Sequence, residues 1–446
     1  MANTYLQRTF STGNRKKWTW SAWVKRSKLG ANIVLFSSWA DSNNNSVIQF
    51  LDDDAFRYKD KAAGGTQANL YTNRKFRDTS SWYHIVVVYD SNNSTSGNRI
   101  RFYINGVEET SFSTDTMPGQ NNDSTVNRNC SHYIGTDDTT GYFFDGSMTH
   151  VHFCDGYAYS ASDFGETDTT TGEWKAKTSP SVNYGTNGFL ILKDGNTITD
   201  QSSNSNDFTL GGGTLTDLKD NPDNVFTTWN PLVGSNAGGA TVYYPNLENG
   251  NTKATPGNAA QNAIAASTLG ASSGKWYAEF ILVSETDSGA ASFIGVTDDL
   301  SAFQTENIQT SSQVLYADNG TVYSRNSSTP DTGTSFSIGD VVGVALDLDN
   351  NYIYFSVNGT FVSSGDPTSG SSGTGGYTLG SGTNEYFFMV GDSRDGNTSV
   401  FTANFGNGYQ GTTAVSSAGT NASDNGIFEY DVPTGYTALS TKGLNL

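Results

Sequence analysis

The sequence predicts an all-β protein built as two antiparallel β-sandwiches joined by a connector rich in Gly, Asn and Asp. Three observations carry that expectation. No long segment shows the 3.6-residue apolar period of an amphipathic helix, whereas short runs alternate apolar and polar residues as strands do. Gly (49 residues), Tyr (23) and Phe (25) are plentiful and Asn/Ser/Thr-rich runs recur throughout, the composition of short strands joined by many turns. The chain also twice writes an alternating strand that ends in Asn-Gly, IRFYINGVEE at 100–109 and IYFSVNGTFV at 353–362. Asn-Gly accepts the positive φ angles of a type I′ turn, so both stretches predict tight hairpins. A chain of 446 residues accommodates two such sandwiches.

The first half is expected over residues 1–215. It opens with WTWSAWVKR (18–26), where Trp18, Trp20, Ala22 and Val24 share one strand face by parity and Trp23 points the other way, so a bulge or burial on both sides is required. A strand pair follows at IVLFSSW (33–39) and VIQFLDDDAFRY (47–58). Next come WYHIVVVYD (82–90), the first Asn-Gly hairpin, HYIGT (132–136) and FDGSMTHVHFCDGYAYSASDFGE (144–166). In this order the motifs resemble the concanavalin A-like jelly roll in its laminin-G-like form, over residues 5–215. After one more strand at 189–192 the chain reads as Gly-, Asn- and Asp-rich, and the connector is placed at 216–235, around the turn Asn221-Pro222-Asp223.

The second half, 236–446, carries SGKWYAEFIL (273–282), FIGVTDD (293–299), VLYADNGTVYS (314–324), FSIGDVVGVALDLDNNYIYFSVNGTFV (336–362), YFFMVGD (386–392) and VFTANFG (400–406). This series resembles a SPRY domain, and the second Asn-Gly hairpin is part of that pattern. Asp347 and Asp349 read as sheet-edge or turn residues. The two hairpins are thus expected in two unrelated sandwiches. SPRY domains are recognition modules rather than enzymes, and laminin-G-like domains bind glycans or proteins, so the resemblances imply a binding protein.

Charge is unevenly spread. The formal net charge is −19, yet residues 1–101 carry 15 Lys and Arg against 7 Asp and Glu, leaving 10 against 37 for the rest. The acidic remainder argues against nucleic acid as a partner, because neutralising phosphates needs a basic face. The N-terminal MANTYLQRTF lacks an apolar leader core and no apolar run is long enough to span a bilayer, so folding in a cytoplasm without membrane insertion is expected. In that reducing setting Cys130 and Cys154 are expected as free thiols, with a bridge left open.

Glycoside hydrolysis needs two carboxylates flanking the scissile bond. No strand offers the E-x-D-x-x-E spacing; the nearest run, Glu166, Asp168 and Glu173, lies in a Thr/Gly-rich loop, so no catalytic residue is assigned and no enzyme is expected. Two metal sites are weighed. His150, His152 and Cys154 alternate along THVHFC, a set that would hold zinc, or an iron or zinc ion on a threefold axis of a trimer, with an ordinary strand carrying two histidines as the alternative. Asp137, Asp138 and Asp145 would instead hold calcium, with ordinary turn chemistry as the alternative.

The basic residues Arg15, Lys16, Lys17, Lys25, Arg26 and Lys28 are expected to dock an acidic partner surface or an anionic glycan, with ordinary solvated strand ends as the alternative, and Tyr316, Asp318 and Tyr323 to bind ligand through a flat ring and short polar groups. Recognition domains with no export signal fit a virion protein, made in host cytoplasm and released by lysis. The opening YLQRTFSTGNRKKWTWSAWVKRS, the middle FGETDTTTGEWKAKTSPSVNYGTNGFLILKD, the connector end FTTWNPL and the close FEYDVPTGYTALSTKGLNL resemble structural proteins of aquatic tailed bacteriophages. That resemblance implies a tail fibre, adhesin or capsid appendage, a homo-oligomer whose basic end docks on other virion proteins and whose SPRY half meets a host surface glycan or protein. A purely architectural role and a glycan-cleaving enzyme are the alternatives.

Overall fold

The computed structural model describes residues 3–195, 197–235, 242–256, 263–286, 292–300, 313–324, 327–330, 334–380, 384–392 and 398–445. The chain forms two compact units, Met1–Asp217 and Leu218–Leu446, each with its own apolar core. Both are antiparallel β-sandwiches. No helix among the described residues is long and apolar enough to cross a membrane.

The first unit contains strands β1 (Tyr5–Thr9), β2 (Lys17–Arg26), β3 (Ile33–Asp41), β4 (Asn44–Phe50), β5 (Ala55–Ala62), β6 (Gly65–Lys75), β7 (Tyr83–Asp90), β8 (Ile100–Ile104), β9 (Val107–Glu109), β10 (Phe112–Thr116), β11 (Ser131–Ile134), β12 (Gly146–Asp155), β13 (Gly165–Thr167), β14 (Trp174–Ala176), β15 (Phe189–Ile191) and β16 (Thr209–Gly212). An eight-stranded sheet in the order β10-β6-β5-β4-β3-β11-β1-β16 faces a six-stranded sheet, β15-β12-β2-β7-β8-β9. Alternation decides what lies between them. Trp18, Trp20, Ala22 and Val24 of β2 enter the core beside Phe56 and Tyr58 of β5 and Val87 and Tyr89 of β7, and Trp18 stacks on Tyr89 at 5.4 Å. Trp23 points away and stacks on His84 at 5.0 Å. It is nevertheless buried, because a strap over residues 156–184 lays Ala161, Phe164 and Trp174 across Val86, Val88, Tyr103 and Cys154 on the far face of the six-stranded sheet.

Three features depart from the expected elements. The run 47–58 is two strands rather than one, folded back at Asp52-Asp53-Asp54, where Asp54 takes φ +67° and the Leu51 amide donates to the Ala55 carbonyl at 2.9 Å. Between Thr149 and His152 the register of β12 on β2 shifts, with His150 at φ +50°; this bulge breaks the alternation that would have put His150 and His152 on one face. Finally, β16 pairs with β1 at the sheet edge. Gly211 lies so flat beneath the Tyr5 ring that a Cβ would sit 2.1 Å from it.

The second unit has a nine-stranded sheet centred on Lys275–Ser284, which pairs with Val341–Asp347 on one side and Val400–Asn404 on the other. A six-stranded sheet runs from Ala263–Ala266 through Phe387–Asp392, Ser292–Thr297, Gln313–Ala317 and Thr321–Ser324 to Ser327–Pro330. Part of the segment expected as connector is core here. Phe226 and Trp229 are 1% and 0% exposed, and Phe226 bridges to Ser440 and Trp229 to Ser267. Asp347 is fully buried. It accepts from the Asn350 amide at 3.0 Å and the Lys275 ammonium at 2.9 Å, while Asp349 takes the Gly274 amide at 2.7 Å. Both act as turn residues.

The repeated Asn-Gly has one physical explanation in both units. Asn105 and Asn358 sit at φ +48° and +49°, followed by Gly106 at +83° and Gly359 at +80°, the turn that suits the twist of a hairpin. Each Asn also ties its turn to the strand alongside. The Asn105 carboxamide oxygen accepts the His84 amide at 2.7 Å, and that of Asn358 accepts the Val341 amide at 3.0 Å. Their own amides donate back to the carbonyls of the same two residues.

Candidate functional site

The residues selected from the sequence do not converge on a site. Tyr316 is fully buried; its ring stacks on Phe355 at 5.2 Å and its hydroxyl donates to the Thr334 carbonyl at 2.6 Å. Asp318 is 7% exposed and its carboxylate accepts the Asn319 amide at 2.9 Å. The expected ligand role is therefore corrected for both, since no ligand can lie on a ring inside the sandwich. Tyr323 is half-buried, edge-on to Phe293 at 5.8 Å.

Two of the six docking cations need the same correction. Lys25 and Arg26 are 4% and 0% exposed, and Arg26 pairs with Asp54 at 3.1 Å under the first sandwich. Arg15 donates to the Ser124 carbonyl at 2.8 Å and Lys17 lies 3.4 Å from Asp90, so both brace the β2 region. Lys16 is half-buried and Lys28 exposed. In the loop after β11, the Asp137 carboxylate takes the Asp138 amide at 2.9 Å, and Asp138 takes the amide and hydroxyl of Thr140. This is turn chemistry, and Asp145 is half-buried nearby in sequence. Among the described residues no group of three or more His, Cys, Asp or Glu is placed to hold a metal ion. His152 contacts the Tyr184 hydroxyl at 2.9 Å, and Cys130 and Cys154 are free, buried thiols. Glu166 and Glu173 are exposed on or beside the β13–β14 ribbon, where Asp168 accepts from Lys175 at 2.6 Å.

What the fold does assemble is a trough on the outer face of the eight-stranded sheet. Phe56 and Tyr58 of β5 point into the core, so Arg57, Lys59 and Lys61 point out. The register sets Arg57 between Gln49 of β4 and Tyr71 of β6, and Lys59 between Val47 and Asn69. Lys61 faces Asn45, which in turn faces Trp39 of β3. On the β3 side the loop after β11 lies over the sheet, where the Ser37 hydroxyl donates to the Thr136 carbonyl at 2.8 Å and the Val34 amide to the Tyr142 carbonyl at 2.9 Å. Cations, carboxamides and two aromatic rings therefore line one half-open face. The sequence reading missed it because Arg57, Lys59 and Lys61 form no contiguous basic cluster; only period-two parity groups them.

Buried titratable groups give the two units opposite responses to acid. In the first unit the His84 Nδ1 accepts from the Trp174 indole at 3.0 Å, so its Nε2–H donates to Ser21 at 2.9 Å. The His132 Nε2 accepts the Asn127 amide at 3.1 Å, leaving Nδ1–H for the Cys130 carbonyl. Burial lowers both histidines to about 3. Their folded pKa lies below the unfolded value near 6.5, so the stability they supply is present above that value and is lost as pH falls from about 6.5 toward 3, at about 1.4 kcal/mol per pH unit for each. Burial also raises Asp60 and Asp137 in this unit, and these offset part of the loss.

In the second unit burial raises Glu279 and Asp392 to about 7. Their contribution is present below the unfolded carboxylate pKa near 4 and lost as pH rises through about 7. Acidification from neutrality toward pH ~4.5 is therefore expected to loosen the first unit and tighten the second. Hydrogen exchange of the full chain at the two pH values, corrected for intrinsic rates, checks this; parallel changes in both units would contradict it.

Residues 2–163 match the family described as the concanavalin A-like lectin/glucanases superfamily, in its laminin G form, and residues 275–377 match the SPRY domain family. The chain thus carries a concanavalin A-like unit followed by a SPRY domain. Among solved structures, the SPRY domain of human HERC1 is 19% identical over 39% of this chain and 96% of its own, with a TM-score of 0.32. The TRIM65 PSpry domain is 13% identical over 40% and 91%, TM-score 0.27. A heptameric SAP-like pentraxin from Limulus polyphemus is 13% identical over 43% and 89%, TM-score 0.28. No curated protein matches the chain in sequence.

Proposed function

We propose that the chain is a non-enzymatic recognition protein whose first unit binds a glycan, carried on a tailed-phage particle and displayed toward the host surface. The observation that carries the reading is the trough on the eight-stranded sheet, an open face lined by hydrogen-bonding side chains and flanked by rings, in a unit of a lectin and glucanase superfamily. Sugars present hydroxyls to carboxamides and cations and apolar ring faces to aromatics. The second unit belongs to a fold of recognition modules and serves as the attachment to a partner protein of the particle. This reverses the orientation expected from charge, because two of the N-terminal cations that were to dock, Lys25 and Arg26, are internal and Arg15 and Lys17 are engaged within the unit, while the trough faces outward.

The virion setting, with assembly in host cytoplasm and a homo-oligomer as the working form, rests on the resemblance of the chain to aquatic phage structural proteins. An antibody against the chain should decorate purified particles; particles free of the chain would refute that setting. For the glycan, the full chain on an array of surface polysaccharides should retain a subset. Absence of catalysis has its own test. Glu166 and Glu173, exposed on or beside a ribbon, are the nearest carboxylates to a hydrolytic pair. The double variant Glu166→Gln/Glu173→Gln and the unaltered chain should both leave bound glycan at full length. Chain shortening by the unaltered protein that the variant lacks would establish an enzyme.

A further inference from the structure

The trough holds an unmet demand for a particular kind of ligand. Arg57 is half-buried, its Nε is closed off from solvent with no hydrogen-bond partner, and its guanidinium makes no ion pair or hydrogen bond with any described residue. Beside it Lys59 likewise has no partner among the described residues. Lys61 donates to the Ser42 carbonyl at 2.8 Å. Three cations at alternate positions of one strand repel one another, and the ammonium of Lys59 is held below its usual range by burial and by Arg57 and Lys61. Opposite Lys59, the Asn69 carboxamide oxygen is buried and without a partner.

The neighbouring acids do not resolve this. Asp53 is taken up by the Tyr71 hydroxyl and by Lys75 at 2.5 Å. Asp52 is exposed and acts on Arg57 only as a charge.

Unpaired cations that are partly desolvated are costly unless an anion meets them, and a buried carboxamide oxygen needs a donor. An anion alone answers the first need; a hydroxyl answers the second. Both occur together on a sugar bearing a carboxylate or sulfate, whose acidic oxygens fit the outward end of the Arg57 guanidinium while a hydroxyl meets the Asn69 carboxamide as that side chain turns outward on binding. Tyr71 and Trp39, half-buried on the same face, bracket the cations and offer flat surfaces for ring stacking. We infer that the outer face of the eight-stranded sheet is a binding site for an acidic polysaccharide, with Arg57 and Lys59 holding the anionic groups and Asn69 a hydroxyl between them.

The inference rests on the glycan-binding reading and narrows it, and the experiment separates the two. The full chain and its Arg57→Gln, Lys59→Gln and Asn69→Leu variants are titrated calorimetrically with a polyuronate, a sulfated galactosaminoglycan, neutral dextran and poly-L-glutamate, at low and at raised salt. The expected result is binding of the acidic polysaccharides, weakened by salt, and a loss of about tenfold or more on replacing Arg57 or Lys59. Asn69→Leu should weaken the polysaccharides and leave any poly-L-glutamate binding unchanged. Arg57 and Lys59 make no internal hydrogen bonds, so their variants should keep the parent's melting behaviour. If one fails to fold, the other still reads the site.

Acidic glycan binding that none of the variants alters would overturn the assignment. Binding of neutral dextran alone would overturn it while leaving the glycan reading intact, and binding of none of the polysaccharides would remove both. Poly-L-glutamate held as tightly as the polyuronate, with the same losses in every variant, would make the face a docking surface for acidic protein instead.

Discussion

Trp229→Ala will destabilise the second unit by about 3–5 kcal/mol, the range for deleting a large buried aromatic side chain. Its indole is fully buried, edge-on to Phe405 at 5.0 Å and 5.8 Å from Phe280. The surrounding segment is stitched across the sandwich. The Trp229 amide donates to the Asn251 carbonyl at 2.8 Å, Asn230 to Ala266 at 2.8 Å and Thr227 to Leu439 at 3.1 Å. Losing the ring leaves a cavity that this tethered backbone cannot close. The same geometry makes a prediction about boundaries: a fragment beginning at residue 218 should unfold cooperatively, whereas one beginning at 236 lacks Phe226 and Trp229 and should not reach a stable fold. Denaturant unfolding followed by near-ultraviolet circular dichroism checks both. A fragment 236–446 with full cooperativity, or a Trp229→Ala protein with an unchanged midpoint, would show that the segment is only laid on the surface.

The fold was largely legible because its signals are local. Period-two runs and Asn-Gly turns report on neighbours a few residues apart, and the strand at Lys17–Arg26, both hairpins and the segments around Lys275–Ser284 and Val341–Asp347 follow from them. The segment FTTWNPL was less legible. It follows a Gly- and Asn-rich stretch and shows no alternation, so only its Phe and Trp hinted that it returns to a core. Function was less legible still. Tyr316 has a parity signal, since Val314 and Val322 enter the same core, but Leu315 and Ala317 are buried on the other side too, and a strand covered on both faces leaves no outward position to choose. The trough depends on strands 4, 5 and 6 lying side by side in one register, and residues such as Gln49, Arg57 and Tyr71 meet only after the chain has folded back twice.

Asp54→Asn will cost the first unit about 3–5 kcal/mol, because it removes one partner of a buried ion pair and leaves the other charge uncompensated. Arg26, at the end of β2 and among the cations expected to dock a partner, has a fully enclosed side chain. It donates to the Phe76 carbonyl at 2.6 Å, the Lys28 carbonyl at 2.9 Å and the Asp54 carboxylate at 3.1 Å, with the guanidinium carbon 4.6 Å from the centre of the Phe50 ring. Asp54 also takes the Gly30 amide at 2.9 Å and the Arg77 Nε at 3.0 Å. One carboxylate thus joins the β2–β3 link, the turn after β4 and the end of β6. Asn preserves the volume and tolerates the positive φ that Asp54 adopts, so the variant isolates the charge from the backbone. Arg26→Met removes the cation and fills the space with an apolar chain, leaving Asp54 its contacts with Arg77 and Gly30. In the double variant no charge is stranded, and its loss should fall well short of the sum of the single losses, by about 1–3 kcal/mol. Urea unfolding of the four proteins measures the coupling. Strict additivity, or an Asp54→Asn protein as stable as its parent, would mean that water reaches Arg26 and that the pair is not what holds this corner of the sandwich closed.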